Sequence, residues 1–141
     1  MKVRVKRLSP KAVIPQFMTE GAACVDLTTI TTVYLPPLSV VVADTGLAMA
    51  IPVGYMLEIR SRGGLATRGV IVANSPGTVD SDYRGEVKVI LANLVDAEVY
   101  LPEGSRVAQA RLVKLDDMEF EEVEELDDTK RGEGRFSSTG V

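Results

Sequence analysis

The chain has no histidine anywhere in its 141 residues. The side chain that ordinarily takes up a proton near neutral pH is missing, so any general base is expected to be a positioned carboxylate. There is one cysteine, Cys24, which excludes an internal disulfide; with no histidine beside it, no plausible zinc site remains. Cys24 lies in an apolar run, which predicts a buried, inert thiol, and such usage fits a reducing cytoplasm. No apolar stretch follows the basic N-terminus, so no targeting segment is expected. The uncharged run Thr45–Leu57 has 13 residues broken by Gly46, Pro52 and Gly54, too short to span a bilayer, and no membrane partner is expected. A net charge of −4 argues against a nucleic-acid partner held through its backbone. A small polyanion could bind only where arginines converge.

What is present is a strand-forming chain. Hydrophobic residues make up 45%, enough for a real core in one domain of this length, which can bury roughly two-thirds of its unfolded surface. Apolar and basic residues alternate over Met1–Val5, as in a solvated edge strand. Further β-branched runs occupy Val33–Leu35, Val40–Val42, Tyr55–Ile59, Val70–Ala73, Glu86–Ala92, Glu98–Leu101 and Arg106–Leu115. Pro36-Pro37, Pro52, Gly63-Gly64, Ser75-Pro76-Gly77 and Pro102-Glu103-Gly104 punctuate them as turns. Many short strands so spaced predict an all-β sandwich or barrel. Ser61–Thr67 could seed one helical turn, though Gly63-Gly64 argues against a longer one. Residues 116–128 carry nine carboxylates interrupted by Met118, Phe120, Val123 and Leu126, which reads as a solvated face with a thin apolar stripe. Thr129–Val141 holds three glycines and one aromatic, too little to order itself, so it is expected to fold over something.

The most informative stretch is Gly77-Thr78-Val79-Asp80-Ser81-Asp82-Tyr83-Arg84-Gly85-Glu86, a glycine-bounded turn between two strand-like runs. A Val-Asp step at a strand end would hold the Asp80 carboxylate against a firm scaffold, making Asp80 the first candidate for the base. Taken alone, the stretch would equally describe a polar hairpin with solvated acids.

It resembles the uracil-recognition hairpin of the trimeric dUTPases. Four more segments stand in that family's order. Ala22-Ala23-Cys24-Val25-Asp26-Leu27 is similar to its first motif, with Cys24 at a usual glycine. Arg62-Gly63-Gly64-Leu65-Ala66 resembles Arg-Ser-Gly-Leu-Ala, and Gly104-Ser105-Arg106-Val107-Ala108-Gln109 resembles Gly-Asp-Arg-Ile-Ala-Gln. The tail from Arg131 to Gly140 is similar to the glycine-rich fifth motif. Any one of these is weak; five in order, from about Val3 to Val141, are strong.

The resemblance implies a jelly-roll-like β-barrel over residues 1–128, with a flexible glycine-rich C-terminal arm, 129–141, closing over the active site. It implies a homotrimer with arm exchange between subunits, and Mg²⁺-assisted hydrolysis of dUTP to dUMP and pyrophosphate. That reaction keeps uracil out of DNA and supplies dUMP for thymidylate synthesis. By position, Asn74, Thr78, Val79 and Lys88 would meet the uracil, with Gly77 also substrate-binding, and the Asn74 amide, donor and acceptor both, suits an imide edge. Tyr83 would lie under the deoxyribose and leave no room for a 2′-hydroxyl. Arg62, Gly63, Gly64, Gln109, Arg131, Ser137, Ser138 and Thr139 would contact the substrate around its phosphates, and Phe136 would stack on the base. Asp80 would activate water for in-line attack on the α-phosphorus, and Asp26 would serve Mg²⁺ through bound water.

Three departures bear on activity. Gly63 stands where the family has a phosphate-contacting serine, with Ser61 as the first substitute to consider. Arg135 and Ser137 replace tail glycines, and Ser105 and Cys24 replace residues of structural type. An alternative is a weakly active or non-catalytic nucleotide-binding regulatory module on the same fold, with Gly63 as its mark. A related dCTP deaminase is disfavoured, because Val87–Ala92 offers no acid after Glu86.

Overall fold

The structure is a computed structural model describing residues 1–135. Its elements in chain order are β1 (Arg4–Arg7), β2 (Val25–Thr28), β3 (Val33–Leu35), β4 (Val40–Ala50), β5 (Tyr55–Arg60), α1 (Gly63–Ala66), β6 (Val70–Val72), β7 (Gly77–Val79), β8 (Glu86–Asn93), β9 (Val99–Leu101) and β10 (Arg106–Lys114). One four-stranded sheet runs β1-β4-β8-β6, a second runs β2-β10-β5-β7, and β3 pairs with β9. Every pairing is antiparallel. The result is the jelly-roll-like all-β barrel expected.

Strand alternation explains how the sheets close on one core. In β8, Val87, Val89 and Leu91 are buried, while Lys88 is exposed. A one-residue slip against β4 would drive Lys88 inward, so the pattern specifies the register. Leu27, Leu47, Leu57, Ile59, Val70, Val72, Val107 and Ala110 complete the core from both sheets. Each large aliphatic side chain buried there contributes about 1.5–3 kcal/mol.

Three features depart from the sequence-based expectation. β4 continues past Val42 to Ala50, because Asp44-Thr45-Gly46 forms a bulge rather than a break. The register passes from Asp44↔Lys88 to Ala48↔Glu86, four residues of β4 against two of β8. Gly46 takes φ 66° there, and Glu86 Oε1 accepts its N–H at 2.7 Å. Second, β2 and β7 are additional strands, short and rich in Asp, Thr and Gly. Third, Cys24 is half-buried rather than buried. The one-turn helix α1 falls inside Ser61–Thr67, as expected.

The connection from β6 to β7 creates the functional geometry. β6 pairs with β8 in the first sheet, through Val72↔Leu91. β7 pairs with β5 in the second, through Gly77↔Ile59. The segment Ala73–Pro76 thus hands the chain from one sheet to the other, and β8 before Ile90 loses its neighbour on that side. Residues 116–128 carry no strand or helix and are exposed, with Met118 at 80% and Phe120 at 88%. Among the described residues, no helix is long and apolar enough to cross a membrane.

Candidate active site

The gap left where the sheets part is a cavity of about 350 Å³. Asn74, Gly77, Thr78, Val79, Asp80, Tyr83 and Lys88, all singled out from sequence, line it together. β7 is the edge strand of its sheet, so its outer backbone groups face the gap. A planar ligand with its own donors and acceptors can satisfy such an edge as a strand would. Gly77 lets the Asn74 amide fold over it: a Cβ at Gly77 would stand 3.2 Å from Asn74 Nδ2. Val42, Ile59, Val72 and Ile90 form an apolar wall that sequence reasoning did not select. β-Branched residues in strands read as ordinary core, so nothing marked them.

Asp80 follows directly on β7 and is exposed, its carboxylate free of any ion pair among the described residues. The turn behind it is fastened by Tyr83 N–H to Asp80 O at 3.3 Å and by the Arg84 guanidinium, whose Nη1 donates to Ser81 O and Tyr83 O, each at 2.7 Å. The Tyr83 hydroxyl donates to Glu86 O at 3.1 Å, and its ring is 45% exposed. Asp82 is an exposed turn acid.

Lys88 lies on the outer face of β8. Its Nζ is 2.8 Å from Asp44 Oδ1 and 3.4 Å from Glu86 Oε2. The hydrogen bond to Asp44, then that to Glu86, raises the Lys88 pKa above the ordinary lysine value. Its ammonium is therefore neutralised locally, and its stem and backbone are what the cavity meets. Glu86 went unselected in the sequence, yet it joins the β4 bulge to Lys88.

A second cluster stands at the far end of the other sheet. Arg62 Nε donates to Asp26 Oδ1 at 2.8 Å, and Arg106 Nη1 to Asp26 Oδ2 at 3.2 Å. Arg62 Nη1 also donates to Arg106 O at 3.1 Å. Gln109 sits in register with Asp26 on one side and Arg60 on the other. α1 begins immediately after Arg62, and the leading N–H groups of a helix have no intrahelical partner. A Cβ at Gly63 or Gly64 would meet nothing within 4 Å, so an anion can approach that backbone unobstructed. The Ser61 hydroxyl oxygen instead accepts the Val72 N–H at 2.8 Å, which ties it to β6.

The two clusters do not meet within one chain. Arg131 is exposed on a turn closed by Gly132 N–H to Thr129 O at 3.0 Å, and it joins neither cluster. Phe136, Ser137, Ser138 and Thr139 lie outside the described residues. No group of three or more His, Cys, Asp or Glu able to hold a metal occurs among the described residues. Asp26, with both oxygens already accepting from arginines, offers only remaining lone pairs. That donor set fits Mg²⁺ carried mainly by phosphates and water, with Asp26 in its outer shell.

A jelly-roll barrel with a base-sized edge pocket and an arginine-flanked glycine turn is built for a nucleotide. A sequence profile of the dUTPase family matches residues 10–140. The deoxyuridine 5′-triphosphate nucleotidohydrolase of Helicobacter pylori is 48% identical over 142 residues, covering 100% of this chain and 98% of that protein. That of Wolinella succinogenes is 50% identical over 141 residues, covering 99% and 95%. Among solved structures, a Staphylococcus bacteriophage 80alpha dUTPase with dUpNHpp superposes with a TM-score of 0.90 at 25% identity, covering 99% of each chain. A dUTPase of phage phi11 of S. aureus, described with a structural Mg(II) ion, gives 0.80 at 25% identity, covering 89% of this chain and 98% of that one. The chain belongs to the dUTPase family.

Proposed function

We propose that this chain hydrolyses dUTP to dUMP and pyrophosphate. The observation that carries the reading is the gap between β7 and β8, with Asp80 and Tyr83 at its rim, in a chain of this family. Uracil enters the gap and pairs with the β7 edge and the Asn74 amide. A 5-methyl group would clash there and an exocyclic amine would mispair, which excludes thymine and cytosine. The deoxyribose rests on Tyr83, whose ring occupies the place of a 2′-hydroxyl.

Asp80 orients a water and takes its proton as the water oxygen bonds to the α-phosphorus. The bond from that phosphorus to the bridging oxygen breaks in line, and pyrophosphate leaves. Such general-base help is worth about 10²–10⁴-fold, and the remainder comes from positioning and charge neutralisation. Arg62, Gln109, Arg131 and the N–H groups of Gly63 and Gly64 bind the phosphates, with Ser137, Ser138 and Thr139. Phe136 stacks on the base. Mg²⁺, when bound, neutralises triphosphate charge and favours one phosphate conformation; Asp26 holds it through water.

The working unit is a homotrimer in which barrel domain 1–128 receives the arm 129–141 of a neighbour. The separation of the two clusters supports this, because one copy leaves Asp80 and Arg62 apart. The lone thiol of Cys24 is suited to a cytoplasmic setting. Pyrophosphate release from dUTP, dCTP, dTTP and UTP, measured side by side, tests the reading. Release from dUTP alone is expected. Tight dUTP binding without release would instead identify a non-catalytic nucleotide-binding module.

A further inference from the structure

Gly85 is not among the glycines with positive φ, which are Gly46, Gly54, Gly69, Gly104 and Gly132. The turn therefore does not need glycine there for its backbone. What a side chain at Gly85 would strike is Tyr83. An added Cβ would lie 2.6 Å from Tyr83 Cζ and 3.0 Å from Cε2, and closer still to the hydroxyl oxygen. No backbone is among its three nearest contacts, so the tyrosine is the group that must move.

The ring has little freedom to yield without losing its place. Its hydroxyl donates to Glu86 O at 3.1 Å. Glu86 is itself held, with Oε1 accepting the Gly46 N–H at 2.7 Å and Oε2 lying 3.4 Å from Lys88 Nζ. Tyr83 and Glu86 both line the cavity. The ring is thus pinned between the turn and the backbone carbonyl of Glu86, a residue whose own side chain is anchored on the β4 bulge, and the absent Cβ of Gly85 is the space it uses.

We infer that Gly85 is a positioning residue for sugar selectivity, acting through Tyr83, so that discrimination against a 2′-hydroxyl depends on there being no side chain at Gly85. This rests on the reading of Tyr83 given above. A Cβ at this position rotates the ring away from the cavity rim and opens room beside the sugar.

The test is a double-mutant cycle read as the ratio of kcat/KM for dUTP to that for UTP. Gly85→Ala is expected to lower the ratio at least tenfold, approaching the value of Tyr83→Ala. In a Tyr83→Ala background, adding Gly85→Ala is expected to change it less than twofold, because nothing is left to displace. An unchanged ratio in Gly85→Ala overturns the inference, as does an equal loss in both backgrounds. Should Gly85→Ala fail to fold, recovery of folding by Tyr83→Ala supports the same coupling, and failure of the double variant refutes it. A wild-type protein that does not favour dUTP over UTP overturns the functional reading itself, and this inference with it. A selective wild type with an indifferent Gly85→Ala overturns this inference alone.

Discussion

Asp80 and Arg62 stand at opposite ends of β5. Asp80 follows Val79, the register partner of Leu57 near the start of that strand, whereas Arg62 comes two residues after Arg60, its last. Five residues separate Leu57 from Arg62, about 15 Å along an extended chain. The Arg62 guanidinium is also drawn the other way, toward Asp26 on β2, three strands across the sheet from β7. This separation supports the proposed sharing of the site between copies, with the base in the β7 gap of one and the phosphates at Arg62 of another.

Subunit mixing tests this directly. An Asp80→Asn chain combined with one truncated after Thr129 should recover activity that neither parent has. Random exchange at equal amounts in a symmetric trimer leaves about a quarter of sites with both an intact Asp80 and an intact arm. If the mixture stays inactive while exchange is confirmed by mass, the arm serves its own chain.

Asp80→Asn alone should keep the affinity for a non-hydrolysable dUTP analogue while turnover falls about 10²–10⁴-fold. Among the described residues, the exposed carboxylate has no partner whose loss would unsettle the barrel. Turnover within twofold of wild type would remove Asp80 from the role of base.

Gly63→Ser is the gain-of-function arm. The added Cβ meets nothing within 4 Å, so no steric cost is expected. One hydrogen bond to a charged group is worth about 1.5–3 kcal/mol, which sets an upper range of about 10- to 150-fold on turnover. Ser61 is the first substitute to test: its oxygen accepts the Val72 N–H, which ties it to β6 but leaves its O–H free to donate. A flat or lower rate in Gly63→Ser would show that another group has taken over that phosphate contact.

Asp26→Asn should raise the Mg²⁺ concentration needed for half-maximal turnover severalfold. It also releases Arg62 and Arg106 from their shared carboxylate, so thermal stability should fall slightly, by about 1 kcal/mol or less for partly exposed pairs. Unaltered Mg²⁺ dependence would leave Asp26 as a positioning residue for the two arginines only.

Much of this was legible in the residues. The alternation Val87, Val89, Leu91 announces a half-buried strand, and the absence of histidine directs attention to a carboxylate. The hairpin residues from Asn74 to Lys88 are marked by the resemblance to the family's uracil-recognition hairpin, and they do share one cavity. β7 was not foreseen as a strand, because three residues including glycine and threonine carry no periodic signal. Glu86 was passed over since nothing in a sequence shows that its carboxylate reaches Gly46, 40 residues away.

The chain's own order of residues determined the all-β class and the turn positions and offered a carboxylate as the candidate base, because these depend on local periodicity and side-chain chemistry. Only the tertiary structure decided that β6 and β7 belong to different sheets, that a cavity therefore opens between β7 and β8, and that Lys88 lines it with its charge already paired. It alone placed Asp80 and Arg62 toward opposite ends of β5. Those outcomes depend on long-range pairing and on which sheet an edge strand joins, and no neighbouring residues encode either.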